Sequence, residues 1–108
     1  MPLVRYSTGK PIEMLPGVVR RTLTYGERTH LIEVKMDKDA VVPFHTHPHE
    51  QTGYLASGRL LFELGEEDIL EMEPGDSWLV PSNVLHQATA LEPCVLVDVF
   101  SPPREEYR

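Results

Sequence analysis

Thiols, basic residues, long apolar runs and helical periodicity are scarce or missing in this chain, and each absence narrows what it can be. Cys94 is the one cysteine in 108 residues. A lone thiol makes no intrachain disulfide and builds no zinc ribbon. With no activating base close in sequence, it reads as a small buried hydrophobe and not a nucleophile. No apolar run reaches the length of a membrane span, and no secretory leader pattern is present. The expectation is therefore a soluble, cytoplasmic protein with no membrane partner. Lysine and arginine number 10 against 17 aspartates and glutamates, a net charge of −7. That balance opposes binding to nucleic acid, and Arg20–Arg21 is the one adjacent basic pair. Glu66, Glu67, Asp68, Glu71 and Glu73 gather around turn-forming stretches and read as a solvated surface. There is no internal repeat and no low-complexity tract. The length suits one domain around one core.

Turn signals are what the chain has in abundance, with 10 prolines and 7 glycines. They recur at short, regular intervals between apolar or alternating runs, the pattern of an all-β sandwich or barrel. The strands expected are Val18–Tyr25, His30–Met36, Val41–His47, Gln51–Ala56, Arg59–Leu64, Ile69–Met72, Ser77–Val80, His86–Ala90 and Val95–Phe100. Ser57–Gly58 suits a tight hairpin, Gly65–Asp68 the next turn, and Pro74–Gly75 a type II turn. A short helical turn is expected after Pro103. Residues 1–17, broken by Pro2, Gly9, Pro11, Pro16 and Gly17, read as an extended arm packing on a second subunit. Residues 18–108 would then be the barrel with a short C-terminal tail, and the assembly a homodimer.

Histidines carry the chemistry. His45 and His47 lie two apart in a β-like run, so a strand would aim both imidazoles one way. Gln51 follows on a neighbouring strand with matching parity, and His86 arrives after the Pro74–Gly75 turn. Three neutral imidazoles and an amide oxygen make a site for one divalent transition metal. This donor set does not choose among Ni, Zn, Mn, Fe and Co. A shift of one residue in the loop would offer Glu50 in place of Gln51. His49 reads as a loop or mouth residue and His30 as a plain strand residue. Trp78 and Tyr54 read as core or pocket lining, and Met14, Met36 and Met72 as filler.

Asp98 is the other unusual residue. It interrupts the apolar run Cys94–Phe100, where period two puts Cys94, Leu96, Asp98 and Phe100 on one face. Either that carboxylate reaches solvent or an arginine, or it faces the lumen. In the lumen, burial would raise its pKa into a range useful for general acid–base work. Arg104 is either a surface cation or a bidentate clamp for a substrate carboxylate. Phe100 is either core or a stacking surface.

These motifs resemble the cupin family of small double-stranded β-helix (jelly-roll) barrels. The family's first motif, G-x5-H-x-H-x3,4-E-x6-G, runs here from Asp39 through His45, His47 and Gln51 to Gly58. The second, G-x5-P-x-G-x2-H-x3-N, runs from Gly75 through Pro81, Asn83 and His86 to Ala90. Asp39 and Asn83 replace glycines, and both residue types tolerate a left-handed turn. Gln51 replaces the glutamate, which would leave a bound metal its full charge and favour an anionic substrate. The resemblance covers about Val41 to Phe100.

The run His45–Gln51 followed by Gly53–Tyr54, together with Pro74–Ser77 and Asp98–Arg104, is more narrowly similar to the pectin-degradation cupins. These open the ring of 4,5-unsaturated monouronates released by pectate and alginate lyases. The resemblance implies metal ligands at His45, His47, Gln51 and His86 and a functional trio at Asp98, Phe100 and Arg104. The substrate would be a small anionic sugar acid. The competing expectations are an iron- or copper-dependent cupin dioxygenase, another sugar-acid isomerase or epimerase, and a non-catalytic cupin that only binds a small ligand.

Overall fold

Ten strands account for most of the chain in the computed structural model, which describes residues 2–108. They are β1 (Ile12–Leu15), β2 (Val18–Tyr25), β3 (His30–Met36), β4 (Val41–His45), β5 (Glu50–Ser57), β6 (Leu60–Leu64), β7 (Asp68–Met72), β8 (Ser77–Val80), β9 (His86–Ala90) and β10 (Cys94–Ser101). Short 3-10 turns cover Tyr6–Thr8 and Glu105–Tyr107. All pairings are antiparallel. One sheet has the order β1-β2-β3-β10-β5-β8 and the other β4-β9-β6-β7, so the two pack face to face as a jelly roll.

Period-two alternation decides what fills the space between the sheets. Along β10, Cys94, Leu96, Asp98 and Phe100 point inward, and along β5, Gln51, Gly53 and Leu55 do. The apolar part of that interior runs through Val18, Ile32, Val34, Met36, Leu55, Leu60, Val80 and Leu96. One half of the lumen is thus an ordinary core, and the other holds His47, Gln51, His86 and Asp98.

Gly65–Asp68 turns between the paired strands β6 and β7, and Pro74–Gly75 forms its turn, but the hairpin expected at Ser57–Gly58 does not form: β5 and β6 lie in different sheets, so this link crosses from one sheet to the other. Asp76 N–H closes a turn on the Glu73 carbonyl at 2.9 Å, with Gly75 at φ +99°. Asp39 and Asn83 take the left-handed conformation at φ 69° and 65°. Asn83 thereby turns its N–H onto the His47 carbonyl at 2.8 Å, clipping together the loops that carry His47 and lead to His86.

Two other expectations change. Part of residues 1–17 joins the barrel: β1 pairs with β2 through Ile12↔Arg20 and Leu15↔Val18, so the sheet begins at Ile12 and not at Val18. Pro16–Gly17 is the signal for that hairpin, with the same chemistry as Pro74–Gly75. Ahead of it, Tyr6 lies under the Arg21 guanidinium and donates its hydroxyl to Glu33 Oε1 at 2.7 Å, so the segment packs on its own sheet. The second change is that β4 stops at His45, and His47 sits in the following loop. Pro48 cannot donate to a ladder and restricts the residue before it, so the strand ends early.

Gly53 is required by packing. A Cβ there would lie 2.0 Å from the Trp78 indole, which crosses the bare strand at that point. Gly53→Ala is expected to cost about 1–3 kcal/mol from overpacking, measured by urea denaturation. Gly26→Ala, where a Cβ meets nothing within 4 Å, is the control and should be neutral within about 0.5 kcal/mol.

Candidate metal centre

His45 ends β4 and lies opposite His86, the first residue of β9. Their ring centroids are 4.2 Å apart, and His47 comes in from the loop at 4.9 Å from His86. One ring nitrogen from each of the three lies within 4.8 Å of the others. Each imidazole is oriented the same way. His45 Nδ1 faces the Pro43 carbonyl at 2.9 Å, His47 Nδ1 the His49 carbonyl at 3.0 Å and His86 Nδ1 the Val84 carbonyl at 2.9 Å. A carbonyl only accepts, so each Nδ1 carries the proton and each Nε2 presents a lone pair to the cluster. Backbone anchoring of this kind is how metal-ligating histidines are held.

Gln51 completes the group from β5, while Glu50 is exposed on the other face of that strand. Gln51 Nε2 donates to Asp98 Oδ1 at 3.0 Å, which turns its Oε1 toward His47 Nε2, also at 3.0 Å. With the His47 proton already on Nδ1, two acceptors face each other, an arrangement a cation relieves. His86 Nε2 is buried with no hydrogen-bond partner among the described residues. Burial lowers the pKa of His47, and that of His86 to about 4, so both rings favour the neutral form a metal needs. The cluster of His45, His47 and His86 is compatible with a metal site on all these counts.

Asp98 lies beside it, 4 % exposed, opposite Gly53 on β5 and Ile32 on β3. Because Gly53 has no side chain, Trp78 reaches across and donates Nε1–H to Asp98 Oδ1 at 3.1 Å. The carboxyl is pushed up to about 6. Burial is the cause, offset in part by the bonds from Gln51 and Trp78 and by the charge of Arg104. No hydrogen bond engages Oδ2 among the described residues. The alternatives of a solvent-facing or arginine-paired Asp98 do not describe this structure, since Arg104 Nη2 pairs with Glu106 at 2.9 Å.

Arg104 is not a free surface cation either. Its guanidinium lies over the rings of Tyr107 and Phe100, at 4.1 and 5.1 Å from their centroids. Phe100 is buried, edge-on to His47 at 5.5 Å, and is both core and cavity wall. His45, Gln51, His86, Asp98, Phe100 and Arg104 all line one small cavity, with about 50 Å³ of room inside it. His49 does not line it; its ring packs against that of His47 at 5.7 Å between centroids. Cys94 donates to the Arg59 and Glu92 carbonyls, and burial pushes its thiol up, in keeping with an inert role.

Three residues in or beside the cavity carry more than the sequence alone indicates. Trp78 is core, as expected, and also a hydrogen-bond donor to Asp98; nothing in one sequence pairs positions 78 and 98. Tyr107 stacks under Arg104 with no sequence signal. His30, expected to be a plain strand residue, is completely buried and hydrogen-bonded at both ring nitrogens.

The raised Asp98 pKa has a stability consequence with a definite sign. The folded value of about 6 lies above the unfolded value of about 3.9, so folding takes up a proton. The penalty for burying the ionised carboxyl is absent below about pH 4 and grows as pH rises to about 6. Asp98→Asn keeps an oxygen for Gln51 and Trp78 without the charge. In chelator-treated protein it should be more stable than the parent by about 3 kcal/mol at pH 7–8 and equal to it below about pH 4, as read by denaturant unfolding across pH.

Comparison with known proteins agrees with this geometry. The cupin domain model matches residues 32–100. The pectin degradation protein KdgF of Dickeya dadantii (strain 3937) is 33% identical over 100 residues, covering 88% of this chain and 87% of that protein. The solved structure of KdgF from a Halomonas species superposes with a TM-score of 0.91 at 30% identity, over 98% of this chain and 97% of that one. An RmlC-like cupin from Shewanella frigidimarina NCIMB 400 gives 0.88 at 27% identity, over 94% and 91%. With the two motifs folded around one cavity and a family match spanning both, this chain belongs to the cupin family.

Proposed function

We propose that this protein is a metal-dependent enzyme that opens the ring of a 4,5-unsaturated monouronate, from pectin or alginate breakdown, to the linear keto form. One observation carries the reading. The cavity holds a buried carboxyl with one oxygen fixed and the other free, between a three-histidine cluster and an arginine. The likeness to proteins named for pectin degradation supports it.

The reaction is an isomerisation that moves protons. The substrate's anomeric hydroxyl loses its proton as a carbonyl forms at C1 and the bond from C1 to the ring oxygen breaks. The enol so released takes a proton at C4 and becomes the ketone. Asp98 Oδ2 is the group that takes the first proton and returns one to carbon, and a carboxyl raised to about 6 serves both directions near neutral pH. Gln51 and Trp78 hold Oδ1, so the free oxygen keeps one direction. Arg104 meets the substrate carboxylate with its planar guanidinium, exchanging its bond to the exposed Glu106 for the ligand. Phe100 packs on the sugar ring. His45, His47 and His86 through Nε2, and Gln51 through Oε1, would hold one divalent ion (Ni, Zn, Mn, Fe or Co). When bound, it supplies Lewis-acid charge that polarises a substrate oxygen.

The test follows loss of enol-ether absorbance of unsaturated monogalacturonate by protein of known metal content. Chelation should abolish turnover, and a divalent metal should restore it. Asp98→Ala should lower kcat by about 100-fold or more, while Arg104→Ala should act mainly on KM. No acceleration by metal-replete protein overturns the reading. Oxygen consumption by that protein would instead favour a dioxygenase.

A homodimer is part of the same proposal. Leu3, Val4 and Ile12 remain 90%, 41% and 44% exposed on the N-terminal segment, an apolar edge suited to a second copy. Light scattering after gel filtration should give twice the chain mass, and Val4→Glu with Ile12→Glu should reduce it to one.

A further inference from the structure

Arg104 belongs to a tail that has little structure of its own. Glu105–Tyr107 form a single 3-10 turn, closed by Tyr107 N–H on the Arg104 carbonyl at 2.9 Å. One such turn is too short to hold itself in place. Its position over the cavity therefore depends on what grips it from the sheet.

The grip comes from β2 and β3. The Arg104 backbone N–H donates to His30 Nδ1 at 3.2 Å. His30 Nε2 lies 2.9 Å from Thr22 Oγ1, and the Thr22 hydroxyl donates to the Tyr107 carbonyl. Arg20 adds bonds to the Glu106 and Tyr107 carbonyls, both at 3.3 Å. The directions allow one protonation state. An amide only donates, so His30 Nδ1 must be a lone pair. The ring proton is then on Nε2, where it donates to Thr22, whose own proton is left for Tyr107. An imidazolium cannot take part, because it has no acceptor.

We propose that His30 is a positioning residue for Arg104. Its neutral Nε2–H form receives the Arg104 amide and, through Thr22, fixes the far end of the turn, so the guanidinium stays on the cavity wall. Burial, reinforced by Arg108, Arg20 and Arg104 and opposed only by Glu105, keeps the ring uncharged. Tyr25 closes the remaining side with its ring edge-on at 5.8 Å. His30 lines no part of the cavity, so it acts through the tail and not on the substrate. The kinetic consequence rests on the ring-opening reading, but the anchoring does not.

Two variants and two kinds of measurement test this. His30→Leu removes both bonds at similar volume, and His30→Asn keeps an acceptor near the Nδ1 position. Amide hydrogen exchange at Arg104 and Tyr107 should rise by about tenfold or more in His30→Leu and recover at Arg104 in His30→Asn. Imidazole nitrogen shifts at neutral pH should report the Nε2–H tautomer. On the uronate, His30→Leu should raise KM by about tenfold with kcat within about threefold. In an Arg104→Ala background it should add nothing to KM, which a general packing defect would not reproduce. Thr22→Val breaks the far end of the relay with little burden on folding and should speed exchange at Tyr107.

Unchanged exchange at Arg104 in folded His30→Leu, an Nδ1–H tautomer, or additive effects with Arg104→Ala would each overturn the proposal. Should the parent protein leave the uronate untouched, the ring-opening reading fails, and the exchange and tautomer measurements still decide whether His30 anchors the tail.

Discussion

Asp98 is buried in an apolar barrel wall, bonded to no lysine or arginine among the described residues, and its neighbours are arranged around that burial. An ionised carboxylate in such a place is strongly disfavoured unless its lone pairs are met. Here two neutral donors meet one oxygen, from Gln51 and Trp78. Each donor imposes a further requirement. Trp78 reaches only because the residue between them on the sheet is Gly53. Gln51 can give its NH2 to Asp98 only by turning its oxygen toward His47. The buried acid thus orients the amide, and the amide completes the set of lone pairs at the histidines.

The histidines themselves are held by backbone. Three Nδ1–H groups are spent on the carbonyls of Pro43, His49 and Val84, so the rings meet at Nε2 without help from other side chains. The strands set the spacing of His45 and His86 by pairing them directly. The loop that brings in His47 is fastened to the next by the Asn83 amide. A site on antiparallel strands and clipped loops has little freedom to collapse, which lets His86 stay neutral with its Nε2 buried and unpaired among the described residues.

Electrostatics divide the cavity into two ends. Neutral donors and a carboxyl occupy the depth, and the Arg104 charge, stacked on two aromatic rings, lies along the wall toward exposed Glu106. The tail carrying Arg104 is the least self-sufficient element here, yet side chains of β2 and β3 grip it at several backbone groups.

The strands were legible in the sequence because alternation and turn residues are local. Their ends fell within one residue of expectation except where Pro48 cut β4 short by two and where Pro16–Gly17 opened a hairpin inside the expected arm. Asp39 and Asn83 were legible as left-handed turns for the same reason. His45, His47, Gln51 and His86 stood out through spacing, and Asp98 through its placement in an apolar run. Period two put Asp98 and Phe100 on one face with Cys94 and Leu96, and the structure turns that face inward. What the chain order could not express is which distant side chains share a hydrogen bond. The gap at Gly53 that admits Trp78 depends on the register of three strands, and the orientation of Gln51 depends on Asp98, 47 positions away. His30 looked unremarkable because its partners are Thr22 across the hairpin and the amide of a residue 74 positions later. Local sequence determined the barrel and the donor types, since propensity and periodicity act over a few residues. The tertiary structure alone decided which lone pairs face each other, because that is set by packing between strands remote along the chain.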